Sequence, residues 1–156
     1  MPNQPLKFVL FGPPAVGKTT LARLLAGRLR YAVVLDLECL PDSARALAMQ
    51  AFGAIQCKGP VILTAANIPI ERIPPDFNVL LLLPSSKDEY IARVAERNEK
   101  EQGKVGQNES QLYDGFSCLK ERRSFFAVID PVRDAATEDQ LANLLVERLG
   151  LAAWRV

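Results

Sequence analysis

A loop of the form G-x-x-x-x-G-K-T occupies Gly12 to Thr19, within the stretch "FGPPAVGKTT". The apolar run "KFVLF" (7–11) leads into it. Behind it, "TTLARLLAGRL" repeats Leu21, Leu24, Leu25 and Leu29 at helical spacing. A strand that enters a glycine loop and leaves as a helix must fold that helix back on a sheet to bury its leucines. The chain continues the alternation, with strand-like runs at 32–38, 59–65, 78–83 and 124–130. Helical patterns lie between them. One is opened by Asp42 or Ser43 as a cap, a second runs from Ser86 to about Gln102, and a third ends near Arg123. The last is capped by Thr137 and stopped by Gly150. Continuous apolar strands suit a sheet covered on both faces. The expectation is one α/β domain over residues 1–156, doubly wound, with five parallel strands and helices on both faces.

The loop fits phosphate chemistry at each fixed position. Gly12 and Gly17 let backbone amides turn inward, and the helix beginning near Lys18 adds its N-terminal dipole. Lys18 is placed to meet the terminal phosphates of a nucleotide, and Thr19 offers a hydroxyl to magnesium. The expected nucleotide-binding set is Gly12, Pro13, Pro14, Ala15, Val16, Gly17, Lys18, Thr19 and Thr20, with ATP and Mg2+ as cofactors.

A metal-holding acid at the end of the third strand would point to a motor ATPase, but that strand ends "VILTAAN" without a carboxylate. The acid stands instead at the end of the second strand. Asp36 falls on the edge where an open α/β sheet binds ligands, and Glu38 shares its face if the strand continues. One of the two, Asp36 ahead of Glu38, is placed to accept or orient the proton of an acceptor hydroxyl, and Asp36 to share the metal with Thr19. The bland alternative is a residue that closes the strand. Asp130, before Pro131, reads as a turn residue in preference to part of an adenine pocket.

On the helix after Ser86, Arg93, Arg97, Lys100 and Lys104 form one cationic stripe, followed by Gly103 and Gly106 in the loop beyond. Such a segment, about 93–110, makes a lid whose arginines face the charge of a transferring phosphoryl group. Interleaved Glu89, Glu96 and Glu99 leave open an ordinary solvated face.

Composition removes other classes. With 49% hydrophobic residues, 24% charged and a net charge of +1, there is no global basic field for nucleic acid. Contact with a polynucleotide would need a local patch. Apolar runs are too short for a bilayer and the N-terminus lacks a signal core, so a cytoplasmic location is expected. Cys39, Cys57 and Cys118 have no metal spacing and the chain has no histidine, which argues against zinc and for reduced thiols.

The loop together with "ILTAANIPIERI", "RVAERNEKEQGKV" and "LYDGF" resembles the P-loop kinases of the nucleoside monophosphate kinase and shikimate kinase type. Within them the chain is most similar to the kinase domain of phage-type polynucleotide kinases. The resemblance implies Asp36 as catalytic base, Asn67 and Arg72 near the acceptor, and Arg93 and Arg97 on the ATP phosphates; Glu38 joins the acceptor-binding set from its place beside Asp36, and with the resemblance the five strands are expected in the order 2-3-1-4-5. It departs from that family at "DLECLP", where a doubled acid and an arginine are usual. The favoured acceptor is a hydroxyl on nucleic acid, either a polynucleotide 5′ end or a hydroxymethylated base. The alternative is a free nucleotide, nucleoside or small metabolite, and a nucleotide-dependent switch or weak ATPase comes third.

Overall fold

The computed structural model describes residues 6–101 and 108–156, with side chains left out of account from 98 to 101. Five parallel strands form one sheet in the order β2-β3-β1-β4-β5, the order expected with the resemblance. They are β1 (Lys7–Phe11), β2 (Val33–Asp36), β3 (Val61–Ala65), β4 (Asn78–Leu82) and β5 (Ala127–Ile129). Central β1 runs in register with both neighbours, Leu10 beside Thr64 on one side and Leu80 on the other. All five residues of β3 are buried. This is possible only where both faces of the sheet are covered.

Among the described residues α1 (Lys18–Arg28) joins β1 to β2, α2 (Asp42–Ala54) lies between β2 and β3, α3 (Lys87–Glu101) and α4 (Glu109–Arg122) lie between β4 and β5, and α5 (Glu138–Arg148) follows β5. Buried Leu21, Ala22 and Leu25 of α1 and Leu141, Ala142 and Leu145 of α5 join the core. Helices α3 and α4 meet through Tyr90 and Tyr113, ring centroids 5.8 Å apart, and the Tyr113 hydroxyl donates to the Pro84 carbonyl at 2.6 Å. Phe116 of α4 stands edge-on to Phe11 at 5.2 Å, fixing that helix beside the end of β1. Thr137 caps α5, accepting from the Gln140 amide at 3.1 Å, and Gly150 takes the positive φ of 70° that stops it.

Two local expectations fail. The second strand does not run to residue 38. It ends at Asp36, and a 3₁₀ turn over Leu37–Cys39 follows. Glu38 therefore does not continue the strand face of Asp36. The cause lies further along the chain, where Arg45 donates to the Leu37 carbonyl at 3.0 Å and the Leu40 carbonyl at 3.1 Å, drawing the backbone round. Neither Asp42 nor Ser43 caps α2. Pro41 holds the cap position without a side-chain bond, and Asp42 is taken up by Arg45 at 2.6 Å.

Asp130 makes a turn, as its place before Pro131 implied. Its carboxylate accepts from the amides of Val132 and Arg133 and from the amide and hydroxyl of Ser85. Partial burial pushes its carboxyl up, but these bonds outweigh that and hold it below the ordinary carboxylate value.

Candidate active site

A cleft of about 670 Å3 opens at the C-terminal ends of β1, β2 and β3. The loop supplies its floor through Pro14, Ala15, Gly17, Lys18, Thr19 and Thr20, while Asp36, Glu38 and Asn67 come from the neighbouring strand ends. Arg93 and Arg97 of α3 form a further wall. Eight of the residues singled out from sequence as catalytic or acceptor-binding are in question here: Lys18, Asp36, Arg93, Arg97, Glu38, Asn67, Arg72 and Thr19. Seven of them line this one cleft. The exception is Arg72, exposed in the short turn Ile70–Arg72 and absent from the walls.

The loop owes its shape to two different uses of glycine. At Gly17 the backbone has φ 88°, in the left-handed region, so a side chain there is strained whatever the space. Gly12 is needed for close approach, since a Cβ would collide with the carbonyl oxygen of Leu82. Gly12, Pro13 and Val16 do not line the cleft. Val16 is core, whereas the Gly12 and Pro13 carbonyls each accept from Lys18 Nζ at 2.7 Å.

Lys18 is only 8% exposed. Burial drives its pKa down to about 8, a shift opposed by the nearby carboxylates of Glu38 and Asp36 and reinforced by Arg97. A cation held this way, with no carboxylate bonded to it among the described residues, is electrostatically hungry. An anion entering the cleft relieves the cost of its burial.

Asp36 is the hub of the opposite side. Its Oδ1 accepts from Thr64 Oγ1 at 2.9 Å and from the Glu38 amide at 3.0 Å. Its Oδ2 accepts from Thr19 Oγ1 at 3.3 Å and from the Cys39 thiol at 3.6 Å. Partial burial pushes the carboxyl up, yet the bonds from Thr64, Glu38, Cys39 and Thr19 prevail and keep it below its ordinary value. The Cys39 thiol, facing that negative charge, is pushed up in turn. A hydroxyl and a carboxylate oxygen brought together are hard ligands of the kind magnesium takes, so Thr19 and Asp36 fit that ion.

Glu38 has a different task from Asp36. Its Oε1 accepts from the Ala66 and Asn67 amides at 2.8 and 3.0 Å, and its Oε2 accepts from Asn67 Nδ2 at 3.0 Å. Arg45 stands 3.4 Å from Oε2. The side chain thus ties the loop after β3 to the turn after β2.

Sequence reasoning missed Glu96, Glu138 and Arg45. Glu96 and Glu138 line the cleft. Arg93 and Glu138 approach Gly17 from two helices, each with an atom 3.7 Å from the position of a Cβ there. Glu138 stands in the capped start "TEDQ" of α5, and only the packing of α5 against α1 brings it over the loop. Of the expected lid, Lys100 has no described side chain, and Gly103, Lys104 and Gly106 lie outside the described residues. Glu89 pairs with Arg133 at 3.3 Å. Among the described residues no helix is long and apolar enough to cross a membrane.

No protein-family model and no curated protein sequence matches the chain. Solved structures do. The tunicamycin resistance protein of Deinococcus radiodurans is similar with TM-score 0.65 at 18% identity, covering 95% of this chain and 96% of its own. Shikimate kinase from Acinetobacter baumannii, solved with shikimate, follows at TM-score 0.62 and 18% identity, with 96% of each chain covered. A gluconokinase from Sinorhizobium meliloti 1021 gives 0.61 and 16%, covering 96% of this chain and 94% of that one. None of these three is a polynucleotide kinase. Over nearly its whole described length the chain has the fold of the P-loop kinases.

Proposed function

We propose that the chain is an ATP- and magnesium-dependent phosphotransferase that acts on a hydroxyl of a small molecule. The observation that carries this is the convergence of Lys18, Thr19 and Asp36 in one cleft, faced by Arg93 and Arg97. The loop amides and Lys18 bind the nucleotide phosphates, and Thr19 with Asp36 holds magnesium, which when bound neutralises charge on those phosphates. Arg93 and Arg97 face the negative charge that spreads over the transferring group. The acceptor oxygen forms its bond to the γ-phosphorus as the bond to the β,γ-bridging oxygen breaks, and ADP leaves.

Asp36 orients the hydroxyl and receives its proton as the new bond forms. A carboxylate held below its ordinary pKa is a weak base in the ground state. This suffices for a loose phosphoryl transition state, in which positioning counts for more than early proton removal.

The small-molecule acceptor is preferred to nucleic acid for two reasons. Arg72 lies outside the cleft, and Asn67, the other residue assigned to a strand acceptor, is engaged by Glu38. Two of the similar folds, shikimate kinase and gluconokinase, are named for small hydroxylated acids.

The test is transfer from γ-labelled ATP to a panel of sugars, polyols, nucleosides, mononucleotides and hydroxyl-bearing oligonucleotides. Label should appear on a small molecule, and Lys18→Ala should abolish it. ATP consumption indifferent to every acceptor would instead indicate a switch or weak ATPase.

A further inference from the structure

A second cavity, about 640 Å3, adjoins the first. The two share Ala66 and Asn67, the residues whose amides Glu38 holds. Its volume is that of a site for a small organic ligand. Its walls are Phe11, the segment Ile68–Glu71 and one face of α4, including Leu112, Phe116 and Leu119. Polar lining comes from the amide side chains of Asn67, Asn108 and Gln111. The one charged residue among the described lining is Glu71, an acid, already paired with Arg123. No lysine or arginine lines it among the described residues. An anionic group seated there would be desolvated without a partner, which is costly.

Gly115 stands on the same wall. It lies within α4 on the wall of this cavity, at helical φ, where glycine is roughly 1 kcal/mol worse than alanine. Among the described residues a Cβ at this exposed position would meet nothing within 4 Å, so no described neighbour calls for glycine. The residue leaves room over the cavity at a cost to its own helix.

We propose that this cavity seats the body of the acceptor, and that the acceptor is an uncharged alcohol with an apolar or aromatic frame. The inference rests on the phosphotransferase reading and narrows it. The hydroxyl reaches Asp36 across Ala66 and Asn67 while the frame lies on Phe11, Ile68, Leu112 and Phe116. Mononucleotides, oligonucleotides and sugar acids are disfavoured because each carries an anion against a lining in which no described residue is a cation.

The experiment uses two probes with one frame, 2-naphthylmethanol and 6-(hydroxymethyl)-2-naphthoate, titrated into the full chain by calorimetry with the non-hydrolysable ATP analogue AMP-PNP and magnesium present. The neutral alcohol should bind at least about tenfold more tightly than the carboxylate, the factor that 1.4 kcal/mol represents. Gly115→Leu, which adds a side chain to the cavity wall with no described atom within 4 Å of its Cβ, should weaken the alcohol by at least about tenfold, with AMP-PNP titration as the control for folding. Equal or tighter binding of the carboxylate overturns the proposal, as does binding of neither probe or an alcohol affinity unchanged in Gly115→Leu. Failure of the parent reading looks different: wild-type protein would then bind no AMP-PNP, or bind it with no loss in Lys18→Ala.

Discussion

Thr19 Oγ1 donates to Asp36 Oδ2 at 3.3 Å, joining the first turn of α1 to the end of β2 across 17 residues of chain. Neither residue makes this site alone, because the loop positions one oxygen and the edge of the sheet the other. If they share a magnesium ion, their substitutions should not add. Thr19→Val should raise the magnesium concentration needed for half-maximal turnover, and Asp36→Asn should lower turnover by ~10²–10⁴, the range for loss of a positioned acid–base group. The double variant should be little worse than Asp36→Asn. Strict additivity in a magnesium titration of the four proteins would show that the two oxygens act separately.

Glu38 and Asp36 are two residues apart but should fail in different ways. In Glu38→Gln one oxygen becomes an NH2 group facing the Asn67 amide or Arg45, and a donor meets a donor. Leaving such groups unsatisfied costs about 1–3 kcal/mol. The loop from Ala66 to Asn67 should loosen, so the acceptor KM should rise while the ATP KM holds and kcat falls less than in Asp36→Asn. Steady-state kinetics separate the cases. A kcat loss for Glu38→Gln as deep as that of Asp36→Asn would make Glu38 the reacting carboxylate.

Arg97 is a cleft wall residue whose charge reaches Lys18. Charge aimed at a transferring group acts on rate more than on binding. Arg97→Ala should therefore lower kcat by ~10²–10³, of the order found when one preorganised electrostatic contact is removed, with the ATP KM changed only a few-fold. Unchanged turnover would mean that α3 presents a solvated face.

How much of this was legible in the sequence depends on how far apart the determining residues lie. The strand, loop and first helix are local, and Gly12, Gly17, Lys18 and Thr19 state their chemistry within eight positions. The parallel sheet followed from the alternation of elements, and its strand order from the resemblance. The end of β2 did not, because "LDLE" alternates like a continuing strand and the turn is made by Arg45, well beyond it. The apolar cavity was also hidden. Leu112, Phe116 and Leu119 recur at helical spacing whether they fill a core or line a vacancy, and only the fold shows that Gly115 stands over open space between them. Glu96 and Glu138 reach the cleft through tertiary placement, for which a single chain carries no pattern.

The buried lysine makes the last prediction, a pH dependence with a definite sign. Lys18 has a folded-state pKa of about 8 against 10.5 for the free side chain. Between these values the unfolded chain binds more protons than the folded one, so this group makes stability rise with pH across the window. Below about pH 8 its burial cost is present in full. Lys18→Met lacks the titration. The melting temperature of the wild type should therefore climb relative to Lys18→Met from pH 8 to 10.5 in the absence of nucleotide. ATP acts in the opposite direction, because its phosphates stabilise the ammonium and raise its pKa. Binding at pH 8.5 should then take up protons, seen as an observed enthalpy that varies with the ionisation enthalpy of the buffer. It should weaken as pH rises further. A buffer-independent enthalpy at pH 8.5, with parallel melting curves for the two proteins, would place the Lys18 pKa back in the ordinary lysine range and remove burial as the source of its grip on phosphate.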